Sequence, residues 1–135
     1  MTALTKDRDT KERDGVLFVF PVAAASALHA GGMAALDASG NAVPASADAA
    51  LTVVGRVEEA VDNTAGAAGD QSVHVKRGVF CFANSSAGDE ITRADIGEDC
   101  YVVDDQTVAK TSDTNARPKA GVVMDVDAAG VWVRI

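Results

Sequence analysis

Aromatic side chains are scarce in this chain: its 135 residues include four Phe, one Tyr and one Trp. That scarcity excludes a deep core built on large rings and leaves little for an aromatic sugar-stacking platform. Histidine is nearly absent, His29 and His74 being the only two. Neither stands beside a serine, cysteine or carboxylate motif of catalytic spacing, so both read as ordinary surface or strand residues. No GxSxG, P-loop or GxGxxG pattern occurs. The two cysteines, Cys81 and Cys100, sit in strand-like runs with no CxxC and no ligand-spaced histidine, which argues against zinc. Two buried, reduced thiols are expected. The chain therefore reads as non-enzymatic, with no cofactor and no metal.

Other absences concern compartment and partner. No apolar run approaches the roughly 20 residues of a membrane-spanning helix. The N-terminus, MTALTKDRDTKERDG, is charged and has no apolar h-region, so a secretory signal is not expected and a cytosol-like compartment is. A basic face is also missing. The formal net charge is -8, and the segment Met1–Asp14 balances Lys6, Arg8, Lys11 and Arg13 against Asp7, Asp9, Glu12 and Asp14. All the excess acid thus lies from Gly15 onward, a body that repels nucleic acid and anionic membrane alike. The acidic pairs Asp104-Asp105 and Asp125/Asp127 offer at most half of a hard-ion site; without an EF-hand pattern they read as turn formers.

What the chain does have is strand periodicity. Four segments alternate at period two: Thr52–Val61, Ser72–Ala83, Cys100–Lys110 and Gly121–Ile135. Val is the main large apolar residue and Ala supplies much of the 47% hydrophobic content, so the core should be thin. The expected fold is all-β, a compact sandwich or barrel of jelly-roll type, with residues 1–14 as an extended arm and 15–135 as one β domain. Val16–Val22 is a continuous apolar run, expected as a strand buried on both sides, with Pro21 forcing an edge or bulge. Met33–Asp37 and Asn41–Val43 should form a hairpin with Gly40 or Asn41 at positive φ. Within Thr52–Val61, Val53, Val57 and Val61 are assigned to one face, with Thr52, Arg56 and Glu58 on the wet one. Asp62–Asp70 reads as a flexible, protruding loop.

In Ser72–Ala83 the parity of Val73 and Val75 differs from that of Phe80 and Phe82. A bulge at Arg77-Gly78 would turn all four inward, and a strand apolar on both faces at its far end would serve equally. Thr92 should cap a single turn at Arg93–Asp95. Asp104–Gln106 should join two strands. In the last pair, Val122, Met124 and Val126 are assigned to one face, and Val131, Val133 and Ile135 to another. Tyr101 and Trp132 are assigned to the core. The arm alternates charge sign without hydrophobic period, so it reads as a segment that orders on a mixed-charge partner.

The ordered set VKRGVFCFAN, IGEDCYVVDDQTVAK and AGVVMDVDAAGVWVRI resembles the capsid decoration, or cement, proteins of tailed bacteriophages. The motifs are Gly78-Val79-Phe80, Gly97 to Asp104 and Gly121 to Val133, with the earlier hairpin and the Val54–Val61 strand in matching order. The resemblance covers most of Gly31–Ile135 and leaves out the arm. It implies a non-enzymatic homo-oligomer, a dimer or a trimer with the dimer favoured, made in the host cytoplasm. Such a protein sits on the outer surface of the mature virion head and clamps neighbouring subunits of the major capsid protein. On that reading Lys6, Arg8, Lys11 and Arg13 are the capsid contacts. The alternative is a virion-surface module that binds carbohydrate or a receptor.

Overall fold

The computed structural model of the chain describes residues 1–135. Twelve strands follow the arm: β1 (Leu17–Pro21), β2 (Ser26–Leu28), β3 (Met33–Leu36), β4 (Ala42–Pro44), β5 (Thr52–Val57), β6 (Val61–Asn63), β7 (Ser72–Lys76), β8 (Val79–Asn84), β9 (Asp99–Asp104), β10 (Thr107–Ala109), β11 (Lys119–Asp127) and β12 (Gly130–Arg134). Two single 3-10 turns, Ala87–Asp89 and Arg93–Asp95, are the only helical structure. The all-β expectation holds. Strands β10-β8-β12-β11-β9 form a closed barrel, β1-β7-β5-β3-β4 a five-stranded sheet, and β2-β6 a small ribbon.

The five-stranded sheet curls back on itself. Just past β1, Val22 bridges Ala42 of β4 in parallel, and the Ala23 N–H donates to the Ala42 carbonyl at 3.0 Å. The curl encloses Val22, Leu28, Ala34, Ala42, Val54, Val57, Val73 and Val75. A second cluster fills the barrel with Phe82, Cys100, Val102, Val108, Val123, Val131 and Val133, and Met33, Ala35 and Ala45 from the sheet join it. Along β3, side chains therefore alternate between two cores. Arg56 of β5 also lies over the Phe80 ring of β8, 4.3 Å from its centroid, which adds a cation–π contact between the two units.

Several local expectations hold. The β3–β4 hairpin turns at Gly40 (φ 79°), with the Asp37 carboxylate accepting from the Ser39 and Asn41 N–H groups. Asp95 accepts from the Thr92 N–H at 2.8 Å in the Arg93–Asp95 turn, and β9 and β10 pair as a hairpin.

Others are corrected. Val16–Val22 is not buried on both sides: Leu17 and Val19 are 56% and 55% exposed, because β1 is a margin of the sheet with only its Phe18/Phe20 face turned inward. Ser72–Ala83 is neither one bulged strand nor one doubly apolar strand. The chain leaves the sheet at Arg77-Gly78 and enters the barrel, so Val73 and Val75 serve one core and Phe82 the other. In β5 the register with β3 jumps from Gly55 to Val53, so Val54 is a bulge; Val53 packs toward the barrel core, while Val54 and Val57 enter the sheet core. Val61 belongs to β6. In β11 the register shifts at Met124, which is left 40% exposed, and Val123 rather than Val122 is the buried residue.

Trp132 and Tyr101 are half-buried on the outside, since the inward positions of β12 and β9 go to Val131, Val133, Cys100 and Val102. Asp62–Asp70 is a tied loop. Buried Asn63 donates from Nδ2 to the Ala23 and Ala67 carbonyls at 3.0 and 2.9 Å. The Asp70 carboxylate accepts from the Ala67 N–H at 2.9 Å.

Gly55 marks the tightest approach within the sheet. Its φ is 151°, and a Cβ there would stand 2.5 Å from the Lys76 carbonyl oxygen and 2.6 Å from Val75 Cγ1. Gly55→Ala should cost about 2–4 kcal/mol in urea unfolding, from backbone strain plus overpacking. Gly15→Ala, with nothing within 4 Å of the added carbon, should stay within about 0.5 kcal/mol.

Candidate functional site

The arm leaves the body at Gly15, and all of residues 1–14 are exposed. Its charges are only loosely engaged. Lys11 pairs with Asp9 at 2.8 Å, both side chains more than 85% exposed. The Arg13 guanidinium lies 5.3 Å from the centroid of the Phe18 ring, and Lys6 and Arg8 have no ion-pair partner within the chain. Pairs this exposed hold an arm weakly. Asp14 makes the junction, accepting from the Val16 N–H at 3.2 Å.

Where the arm joins β1, the sheet has an open margin. The Arg77 N–H donates to the Val16 carbonyl at 2.8 Å, and the Val22 N–H donates to the Gln71 carbonyl at 2.9 Å. Even-numbered residues of β1 are thus the ones bonded to β7, in the register Phe18↔Val75 and Phe20↔Val73. Antiparallel pairing alternates, so the N–H and C=O groups of Leu17 and Val19 point away from β7 into solvent. The parallel bridge to β4 begins only at Val22. Five of the eight exposed large apolar residues fall in this region: Met1, Leu4, Val16, Leu17 and Val19. An unpaired edge beside apolar side chains is a template for another strand. The double burial expected of Val16–Val22 hid this margin, although Pro21 had marked that end of the run for an edge or bulge.

Elsewhere many of the carboxylates are tied into turns and ion pairs. Asp125 accepts from Arg93 Nη1 at 2.8 Å, while Asp127 accepts from the Ala129 N–H at 2.8 Å and the Trp132 indole N–H at 2.9 Å. The two carboxylates thus serve an ion pair and a turn, and no group of three or more His, Cys, Asp or Glu side chains is brought together as a metal site. Asp104 accepts from the Gln106 N–H at 3.0 Å, and Asp105 borders a shallow depression with His29. His74 lies on β7 opposite Val19. Neither histidine side chain makes a hydrogen bond, and they belong to different elements.

The largest surface depression, about 560 Å³, is lined by Ile91, Asp95, Glu98, Asp99, Tyr101 and Lys110 among others. Lys110 Nζ stands 3.4 Å from Asp95 there. Comparison with protein-family models, curated proteins and solved structures finds no match for this chain.

The carboxylates with displaced pKa values are all displaced downward. The Thr111 hydroxyl and then Arg117 hold Asp89 low, the Thr92 N–H and Lys110 hold Asp95 low, Arg56 lowers Glu58, the Thr64 hydroxyl lowers Asp62, and the Trp132 indole lowers Asp127. None is raised toward neutrality, as a general acid would be. The thiols move the other way. Burial pushes Cys100 up to about 12, and burial followed by the Asp127 charge raises Cys81. Neither is a ready thiolate nucleophile.

Two outcomes follow. Groups held below their ordinary 3.8 (Asp) or 4.5 (Glu) when folded contribute stability above those values and lose it as pH falls through the folded ones. Melting temperature should therefore drop on acidification below about pH 4 and stay level between about pH 5 and 8. In thiol titration, Cys81 (half-buried) should react slowly in the native protein and Cys100 only on unfolding, both modifiable without reductant. A protein with no free thiol after denaturation would overturn that assignment.

Proposed function

We propose that the chain is a non-enzymatic decoration protein that attaches to the outside of an assembled phage head and stabilises contacts between major capsid subunits. The observation that carries this reading is the arm with its adjoining open strand margin: the one stretch rich in charge, exposed apolar side chains and unpaired backbone groups. A small β body with an open edge at β1 is suited to binding protein. Its acidic surface disfavours nucleic acid and anionic membrane as partners. The arm, with Lys6, Arg8, Lys11 and Arg13, is the interface element of the oligomer on the shell.

The stabilising physics is linkage. A protein that binds only the expanded lattice shifts the equilibrium toward it by mass action, and many copies multiply a modest energy per site. Localisation follows as the outer virion surface after synthesis in the host cytoplasm. Tyr101 at the rim of the acidic depression favours the alternative, a carbohydrate-binding module on the virion. Loss of glycan-array signal in Tyr101→Ala would distinguish it.

Cosedimentation with empty heads of its own virus tests the proposal. The full chain should pellet with expanded heads and not with unexpanded ones, and should raise the temperature at which expanded heads come apart. Deleting Met1–Asp14 should change the thermal stability of the free protein by no more than about 1 kcal/mol, since no core residue is lost. The same deletion should weaken attachment and reduce its salt dependence. Absence of pelleting with expanded heads would refute the reading.

A further inference from the structure

The arm's charges are self-complementary about Thr10. Read outward from that residue, Asp9 mirrors Lys11, Arg8 mirrors Glu12, Asp7 mirrors Arg13 and Lys6 mirrors Asp14: each mirrored position carries the opposite sign. The symmetry continues into apolar residues. Leu4 mirrors Val16, Ala3 mirrors Leu17 and Met1 mirrors Val19, and four of these (Met1, Leu4, Leu17 and Val19) are among the most exposed apolar side chains of the molecule. We infer that the arm's partner is a second copy of this chain: two arms exchange, each pairing antiparallel with the other around a two-fold axis at Thr10. Residues Met1–Leu4 of each copy then extend the open β1 margin of the other.

The backbone agrees with this register. Mirroring about Thr10 pairs odd residues with odd, so Leu17 faces Ala3 of the second copy and Val19 faces its Met1. Leu17 and Val19 are the residues whose N–H and C=O groups point out of the sheet, as a hydrogen-bonded antiparallel pair requires. Pro21, which lacks an N–H, falls just beyond the last pair.

Charge disfavours the alternatives. A slip of one residue sets Lys6 opposite Arg13, Asp7 opposite Glu12 and Arg8 opposite Lys11. A slip of two sets Asp9 against Asp9 or Lys11 against Lys11 and keeps only two of the four kinds of unlike pair. Parallel in-register pairing opposes every like charge. Like charges directly opposite are destabilising and unlike ones favourable, so the pattern specifies one register. The exposed Lys11–Asp9 pair of the single chain is replaced by the same pair of types between copies, so little is lost on opening it.

The inference goes beyond the capsid reading and is tested without capsid, so either can fail alone. Sedimentation equilibrium of the full chain up to about 100 µM should give a dimer whose dissociation constant rises about tenfold or more between about 0.05 and 0.5 M salt. One variant carries Lys6→Glu, Arg8→Glu, Lys11→Glu and Arg13→Glu; another carries Asp7→Lys, Asp9→Lys, Glu12→Lys and Asp14→Lys. Each alone should be monomeric, and an equimolar mixture should form a heterodimer. In a Cys81→Ser background, Thr10→Cys should cross-link to itself. Lys6→Cys should cross-link to Asp14→Cys in preference to itself. A monomeric full chain, charge variants that dimerise as the parent does, or a mixture that stays monomeric would each overturn the exchange.

Discussion

Met33–Leu36 lies between two hydrophobic clusters, and the arrangement of everything else depends on that double burial. Met33 and Ala35 enter the barrel core while Ala34 enters the core of the curled sheet. Ala34 and Ala35, one on each face, let both cores approach the strand closely. The same strand is pinned by backbone bonds. The Met33 N–H donates to the Asp105 carbonyl of the β9–β10 turn at 2.7 Å, and the Met33 carbonyl accepts from Ala45 at 2.9 Å. A larger residue at Ala34 or Ala35 would have to displace one core or the other, since interiors are close-packed. The buried alanines thus reflect a stacked architecture: Ala34, Ala35, Ala42, Ala45, Ala109 and Ala120 are all essentially buried.

That architecture leaves the body closed. The barrel has no free edge, the sheet curls until Val22 meets β4, and no buried side-chain nitrogen or oxygen lacks a partner. Carboxylates close turns at Asp37, Asp48, Asp62, Asp104 and Asp127. Many of the body's carboxylates are thus spent on turns and ion pairs. The first nineteen residues differ in kind. They combine exposed charge, exposed Leu and Val, and backbone groups with no partner.

The arm exchange proposed above would couple assembly to ordering. A free arm pays no conformational entropy. On pairing, it fixes many backbone dihedrals at once, so association must be driven by a full ladder of bonds and cross-strand pairs acting together. A ladder with one permitted register gives specificity that isolated surface ion pairs lack. In a multivalent setting such as a shell, joined copies also bring two bodies to neighbouring sites.

Period-two alternation, turn chemistry and composition were enough to read the all-β class, the β3–β4 and β9–β10 hairpins and the Thr92–Asp95 turn. These depend on local geometry: a Gly at positive φ, a carboxylate two residues before an N–H, a side chain on alternate faces. The errors all have one origin, which is that the sequence says a residue is apolar but not which core it will meet. That Leu17 and Val19 lie outside could be known only once β1 was seen to lie at a margin. The parity change at Arg77-Gly78 became intelligible only when two sheets were seen to share that segment. The bulges at Val54 and Met124 could be fixed only by the register of their neighbours. Local chemistry therefore determined which elements form. Long-range pairing, which joins residues as distant in sequence as Val22 and Ala42 or Met33 and Asp105, decided which faces are buried and which edge is left open.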